Sequence, residues 1–267
     1  MKGNIHPTVI VEDGARLDAD VVVGPYCHIG PNVEIGPRTR LHSHVVVTGR
    51  TVIGADAVIF PFAVIGGPSQ DLKASLAEGD LTIGAGCLAR EHVTINSGIG
   101  DGTRIGENCV FLAGAHVAHD CRLGDGVVLS NQVLLGGHVQ IDDHVMIGGG
   151  TAVHQFVRIG SHAFIGGLSG VEGDVIPFAI ASGNRAHLFG LNLVGLRRRG
   201  FEAERIIRLT EAYRRLFDAD KNTVWRERID CLTKSEADDP DIALLVNFLR
   251  TPSQRPLCAP RARGSGA

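Results

Sequence analysis

The chain is short of the side chains that usually fill a core. Aromatics make up 5% of its 267 residues, with one Trp, two Tyr and two Met. A rounded domain of this size leans on more of them, so whatever is packed here is narrow. No CxxC pair occurs among the six cysteines, which leaves thiols that are reduced and structural. An excess of either charge is missing too: 26 Lys and Arg stand against 29 Asp and Glu, a net charge of -3. That balance gives no global reason to bind nucleic acid or an anionic membrane, and any basic site has to be local. No run approaches the roughly 18 apolar residues of a spanning helix. The N-terminal MKGNIHPTVIVEDG meets acidic residues before an apolar stretch of signal-peptide length forms. A cytoplasmic protein without stable membrane insertion is expected. The patterns GxxxxGK[ST], GxGxxG, GxSxG and HExxH are absent, so phosphate-loop, nucleophile-elbow and zinc-protease readings have no support.

What is abundant is glycine, 35 residues, and a period of six. Stepping by six from Ile5 meets Val11, Leu17, Val23, Ile29, Ile35, Leu41, Val47, Ile53, Ile59 and Ile65. The frame resumes at Ile83, Ala89 and Ile95, and then runs unbroken from Ile105 to Val171. The residue two before each is small, and Cys27, Cys87, Cys109 and Cys121 all occupy that slot. Their expected role is inert core packing. Gly often follows the apolar residue, as at Gly24, Gly30, Gly36, Gly54 and Gly148, where a turn of positive φ is predicted. Short strands separated by turns every six residues make a parallel β-helix whose core is a narrow column of stacked equivalents. This pattern resembles the left-handed β-helix transferases, in which three hexapeptides form one triangular coil. With that borrowed geometry, residues 18 apart stack on the same edge of adjacent coils.

The expected fold is therefore an all-β, left-handed parallel β-helix of hexapeptide repeats over residues 1–186, followed by a small α-helical domain over 187–250. The frame is lost in GGPSQDLKASLAEGD, so an excursion loop is predicted over 66–81. NSGIGD, at 96–101, makes a smaller one. Past Pro177 the spacing becomes helical, with Ile206, Ile207, Tyr213, Leu216 and Phe217 on one pattern. Further helices are predicted at 223–232 and 240–249, and the tail 251–267 is expected to be disordered.

The twelve histidines are read mostly as edge decoration. His144 and His162, 18 apart, are expected to stack, and His6, His28, His42, His44, His92 and His187 get the same reading. The segment Gly114-Ala-His-Val-Ala-His-Asp-Cys121 is different, because two imidazoles and a carboxylate fall within five residues at a turn. Histidine suits proton removal near neutrality, and a neighbouring carboxylate fixes its tautomer. Eighteen residues beyond His119 lies Gly137, and eighteen further lies Gln155. A base, an unobstructed backbone amide and an amide side chain then line one edge, the layout for deprotonating a hydroxyl beside an oxyanion donor. The competing use is a three-histidine zinc site on His116, His119 and His138, as in the β-helical carbonic anhydrases. It is disfavoured because His116 and His119 are three apart along a coil and face different ways, so neither metal nor cofactor is expected. Lys73 is the single Lys of the excursion loop, and Arg197, Arg198 and Arg199, with Arg208, Arg214 and Arg215, form the concentrated basic surface. Such a patch suits a pyrophosphate or an acidic protein partner.

Several stretches together resemble the UDP-N-acetylglucosamine O-acyltransferases of lipid A synthesis: Ser69-Gln-Asp-Leu-Lys73, Ala115-His-Val-Ala-His-Asp-Cys121, Thr151-Ala-Val-His-Gln-Phe156, Gly166-Gly-Leu-Ser-Gly-Val171 and Gly195-Leu-Arg-Arg-Arg-Gly-Phe201. The resemblance implies a homotrimer that moves an (R)-3-hydroxyacyl group from acyl carrier protein to the glucosamine 3-hydroxyl of UDP-N-acetylglucosamine. It assigns the base to His119, its orientation to Asp120 and the oxyanion amide to Gly137. Asp71, Lys73, His116, His138 and Gln155 would hold the sugar or acyl chain, with His154 beside the nucleotide. Asn192, Arg198 and Arg199 would contact the nucleotide or its phosphates. Gly167 matches the acyl-chain ruler, and a glycine there implies a long donor near hydroxymyristoyl. Two departures stand out: Val194 replaces a usual Glu near the ribose, and the Asn96-Ser97-Gly98 excursion is shorter and lacks the common Arg. A paralogue using another sugar nucleotide, such as the 3-amino analogue, or a non-catalytic binding protein are the alternatives.

Overall fold

A computed structural model describes residues 4–73, 79–217, 225–235 and 239–260. Its body is a parallel β-helix built from very short strands, typically two residues, in which Asn4–Ile5 pairs with Val22–Val23 and so on along the axis. Three sheets form its faces. The first starts at Asn4–Ile5, the second at Ile10–Val11 and the third at Arg16–Leu17. Each strand donates to the equivalent strand of the next coil, and register holds at 18 residues except at two insertions and at the last coil, where Phe164 pairs with Ile180 at an offset of 16. Val58 pairs with Leu88 and Thr94 with His116, offsets of 30 and 22. So twelve and then four extra residues leave the coil. Both leave where the second sheet hands over to the third.

The repeat residues point inward and are buried from Val23 onward. Burying each Ile or Val side chain contributes about 1.5–3 kcal/mol, and the interior is narrow because each short strand turns only one or two side chains inward, as Val33 and Ile35 do. Of the four slot cysteines, each thiol donates to a carbonyl of the next coil, as Cys109 Sγ does to Gly124 O and Cys121 Sγ to Gly136 O, both at 3.2 Å. Burial pushes the Cys121 thiol up to about 12, so it is chemically quiet at neutral pH, in line with a packing role.

The glycines after the repeat residues are needed for a different reason from the one expected. Gly36 and Gly54 have ordinary φ, but a Cβ there would sit 2.9 and 2.7 Å from backbone nitrogens of the next coil, Ala55 and Ala85. Close stacking excludes a side chain. The positive φ lies two residues later and is borne largely by non-glycines, among them His44, Phe62, His92, His138, His144 and His162. Stacking offsets that strain: His144 and His162 lie 5.1 Å apart, as expected, and a ladder runs through Tyr26, His44, Phe62 and His92 at 5.0–5.2 Å spacings.

Three expected boundaries shift. Strands Val64–Gly67 and Asp80–Ile83 absorb both ends of the first excursion, which leaves the coil only between them. His187–Leu191 is not the start of the helical region but an antiparallel strand on Ala179–Ser182, closing the first sheet. The helices follow: α1 Leu193–Arg198, α2 Ala203–Phe217, α3 Trp225–Ser235 and α4 Pro240–Arg250. The tail is ordered through Pro260, because its backbone finds partners: Asp174 N–H donates to Pro256 O and Cys258 N–H to Asp174 O, both at 2.8 Å. Cys258 is buried there, its thiol donating to Ala186 O. Residues 223–224 of the helix predicted at 223–232 and 261–267 of the tail lie outside the described residues.

Candidate active site

The corner between the second and third sheets gathers most of the residues singled out in the sequence. His119 follows strand His116–Val117, and its Nδ1 donates to Asp120 Oδ2 at 2.9 Å. The His119 side chain is 12% exposed and that of Asp120 2%. Asp120 is held from all sides. The amides of Ile99, Gly100 and Gly102, from the short second excursion, donate to its carboxylate at 3.0, 3.0 and 3.3 Å. Its own amide donates to Thr103 Oγ1 at 2.8 Å. Burial alone would raise the carboxyl, but the Ile99 amide, His119 and the Gly100 amide outweigh it and hold it below the usual carboxylate range. The excursion therefore anchors an ionised carboxylate whose remaining partner is the imidazole. With Nδ1–H committed to Asp120, the lone pair of His119 is on Nε2, the arrangement a general base needs.

Gly137 stacks one coil further. A Cβ at Gly137 would lie 2.6 Å from His119 Nε2, so glycine is what lets the ring lie against the backbone. Gln155 is the next rung. His138 stands edge-on to His119 with ring centres 5.1 Å apart, backed by Phe156 at 4.7 Å. His116 lies on the outer face of the second sheet, bonded to Thr94 Oγ1 at 2.7 Å, and burial lowers its pKa. The first excursion leaves the same corner: Asp71 and Lys73 are exposed there, and Asp71 Oδ1 accepts from the Lys73 amide at 2.9 Å.

A metal ion would meet His119, Asp120 and His138, whose ligand atoms lie within 4.8 Å of one another; His116 is not in that set. This differs from the three-histidine grouping weighed on sequence. Asp120 already accepts three amides and the imidazole, so the donor set fits a catalytic dyad better than a coordination shell.

Other expected site residues lie elsewhere on the chain. Gly167 is at the corner between the first and second sheets, a full face away from His119. Asn192, Arg198 and Arg199 line a groove of about 470 Å³ over the outer face of the first sheet, with Met146, Phe164, Ile180 and Val194. Asn192 has a structural task as well: it caps α1 by accepting from the Gly195 amide and donates to His162 O at 3.0 Å. Arg199 donates to His144 O at 2.6 Å. One chain thus brings together the dyad, Gly137, His138 and Gln155 on one corner, with the excursion that carries Asp71 and Lys73 leaving from the same corner, but not the ruler position or the arginine groove. Sequence reasoning missed Thr94, Thr103 and the amides on Asp120. The first needed the 22-residue register, and main-chain donors leave no side-chain signature. It also missed Arg255, whose Nε donates to Gln155 O at 2.8 Å and whose guanidinium contacts His154.

A β-helix with a buried His–Asp pair at a turn, facing a glycine one coil on, defines a hexapeptide-repeat transferase. The comparisons narrow this. Residues 14–49 and 102–137 match the bacterial transferase hexapeptide family, and residues 174–258 match the second domain of UDP-N-acetylglucosamine O-acyltransferase. The chain is 42% identical to an Acinetobacter baumannii LpxA structure, with 95% of this chain and 99% of that one covered and a TM-score of 0.90. It is 40% identical to the UDP-N-acetylglucosamine O-acyltransferase of Moraxella catarrhalis, covering 96% and 99% at a TM-score of 0.91. Among curated relatives, the acyl-[acyl-carrier-protein]--UDP-N-acetylglucosamine O-acyltransferase of Caulobacter vibrioides is 49% identical over 90 residues, about a third (34%) of each chain. The chain belongs to the UDP-N-acetylglucosamine O-acyltransferase family.

Proposed function

We propose that this protein transfers an (R)-3-hydroxyacyl chain from acyl carrier protein to the glucosamine 3-hydroxyl of UDP-N-acetylglucosamine. The observation that carries the reading is the His119–Asp120 pair set against Gly137. His119 Nε2 takes the hydroxyl proton, the oxygen attacks the thioester carbonyl, and the developing oxyanion is met by the Gly137 amide. As the C–S bond breaks, the imidazolium returns the proton to the leaving thiolate. Asp120 stays ionised throughout and stabilises the imidazolium. Asp71, Lys73, His116, His138 and Gln155 hold sugar and acyl chain, and His154 the nucleotide side.

The working unit in this reading is a homotrimer, since the arginine groove and Gly167 stand on other faces of the chain than the base. Exposed Leu134, Met146 and Leu168 flank the Gly167 corner and offer apolar area to a neighbour. Glycine at 167 leaves the channel open for a chain near hydroxymyristoyl. Val194, exposed in the arginine groove, favours testing the 3-amino sugar nucleotide beside the 3-hydroxy one.

The deciding experiment offers both sugar nucleotides and a mixture of hydroxyacyl carrier proteins, with product mass read by mass spectrometry and His119→Ala run alongside. Product lost in the variant supports the reaction and its base; no product from folded wild type rejects the reading. Light scattering checks the assembly, with three times the 28.3 kDa chain mass expected.

A further inference from the structure

The segment after α4 returns to the active corner along a prepared track. Corner positions 119, 137 and 155 continue to Gly173, and a Cβ there would lie 2.7 Å from Pro256 O. The last free rung is therefore kept empty for the tail. The tail is then pinned by the paired bonds of Asp174 with Pro256 and Cys258, and by the Leu188 amide donating to Ala259 O at 3.1 Å. Asp174 is itself buried and salt-bridged to Arg158 at 2.7 Å. Within this strap Ser253 Oγ accepts the Arg255 amide at 3.0 Å, turning the side chain inward. Arg255 Nε donates to Gln155 O at 2.8 Å and Nη2 meets His154 Nδ1.

Arginine has only donors, so the imidazole nitrogen it meets has to present a lone pair. Gln155 O lies 3.3 Å from the same Nδ1 and keeps a second lone pair beside the one Arg255 Nε uses, but a proton on Nδ1 would face the guanidinium, whose Nη2 lies nearer Nδ1 than Nε2, 3.5 Å away. That arrangement favours the tautomer of His154 with its proton on Nε2.

We propose that Arg255 is a positioning residue of the acceptor site: by bridging Gln155 O and His154 Nδ1 it fixes the His154 tautomer with Nε2–H as donor, presetting a contact to the sugar nucleotide. The role of His154 toward the nucleotide rests on the function proposed above; the tautomer does not. Arg255 touches no reacting atom, so its loss weakens acceptor binding and spares the chemical step. Losing a hydrogen bond preset by a charged partner corresponds to about a tenfold change in affinity.

The test uses the full chain labelled with ¹⁵N-histidine. Long-range ¹⁵N–¹H spectra identify His154 by the signals missing in His154→Gln. The expected result is a single Nε2–H pattern in wild type and a mixture of tautomers in Arg255→Gln. In kinetics, KM for UDP-N-acetylglucosamine rises about tenfold in Arg255→Gln with kcat within about twofold. Arg255→Lys, a point donor unable to span both acceptors, recovers less than half of the loss. Millimolar guanidinium added to Arg255→Ala restores the single tautomer, which separates a lost contact from a misfolded tail. An unchanged His154 pattern in Arg255→Gln, or a fall in kcat with KM unmoved, overturns the proposal. If wild type turns over no sugar nucleotide, the function fails while the nitrogen spectra still decide the tautomer.

Discussion

Gly137→Ala is the sharpest probe of the active corner, because the residue has an ordinary φ and only space is at issue. The added methyl would lie 2.6 Å from His119 Nε2 and 2.7 Å from Cε1, whereas ordinary contact begins near 3.4 Å. The ring has to retreat by roughly 0.8 Å. It cannot take Asp120 along, since three amides and Thr103 hold that residue in place. The His119–Asp120 bond of 2.9 Å therefore stretches or breaks. A displacement near 1 Å costs on the order of 10²-fold in rate, so kcat/KM is expected to fall about 100-fold, or about 2.7 kcal/mol of transition-state stabilisation. Folding should lose less, about 1–2 kcal/mol for the forced repacking. Gly30→Ala is the control: its nearest neighbours lie 3.5 Å away, and rate and melting temperature should both stay close to wild type. The assay is initial-rate acylation beside thermal melts of both variants. Gly137→Ala at wild-type kcat/KM would refute the claim that the ring and this backbone are in working contact.

Asp120→Asn can keep Gly100 and Gly102 on its one oxygen but turns an NH2 group toward the Ile99 amide and His119; the tautomer lock on His119 is lost, so kcat should drop by about 10³–10⁴. Because the carboxyl is held below its ordinary value, it stabilises the fold above the unfolded pKa near 3.9, and this is lost as pH falls through the lower folded value; acid melts of wild type and variant should converge there. His162 is pushed down to about 4 by burial and then by Arg199. The unfolded chain binds that proton first, so melting temperature should fall as pH drops from about 6.5 to 4. His162→Phe, in a ladder that already holds Phe178, should flatten this slope; an equal slope in both proteins would contradict it. Asn192→Ala should cost about 1 kcal/mol of stability in denaturant melts through the lost cap of α1. Gly167→Met should move donor preference to shorter chains in the mass-spectrometric assay, and unchanged preference would sink the ruler role.

The column of core residues was legible because burial forces a period of six, and nothing else in the chain competes with it. Stacking by 18 placed His119, Gly137 and Gln155 correctly, since no insertion falls between them. The same arithmetic could not place Thr94 under His116, where four extra residues intervene. Glycines were visible, but a one-letter code does not separate a close approach from a positive φ, and here steric exclusion at Gly36 and Gly54 replaced the turn conformation expected. The tail read as disordered because proline, arginine and glycine dominate its composition, whereas its order comes from main-chain pairing with Asp174 and Leu188 that composition does not carry. Arg255 was invisible for the same reason.

In-register stacking makes the active corner a set of rungs. The backbones of His119, Gly137 and Gln155 follow one another at the distance between parallel strands, about 4.8 Å, and no side-chain adjustment can change that spacing. Mutation by insertion is consequently quantised. One residue added between His119 and Gly137 would turn every side chain before the next corner to the opposite face, emptying the core of that coil. Eighteen added residues would leave every strand paired and the solenoid stable, because each coil answers only to its neighbours, yet would lift Gly137 a full rung from His119 and silence the site. Short of a whole coil, length can therefore vary only where the chain already leaves the ladder, and both such exits open onto the corner that holds His119 and Asp120; because the second supplies the amides on Asp120, it is the first whose length can change what binds there without disturbing that pair.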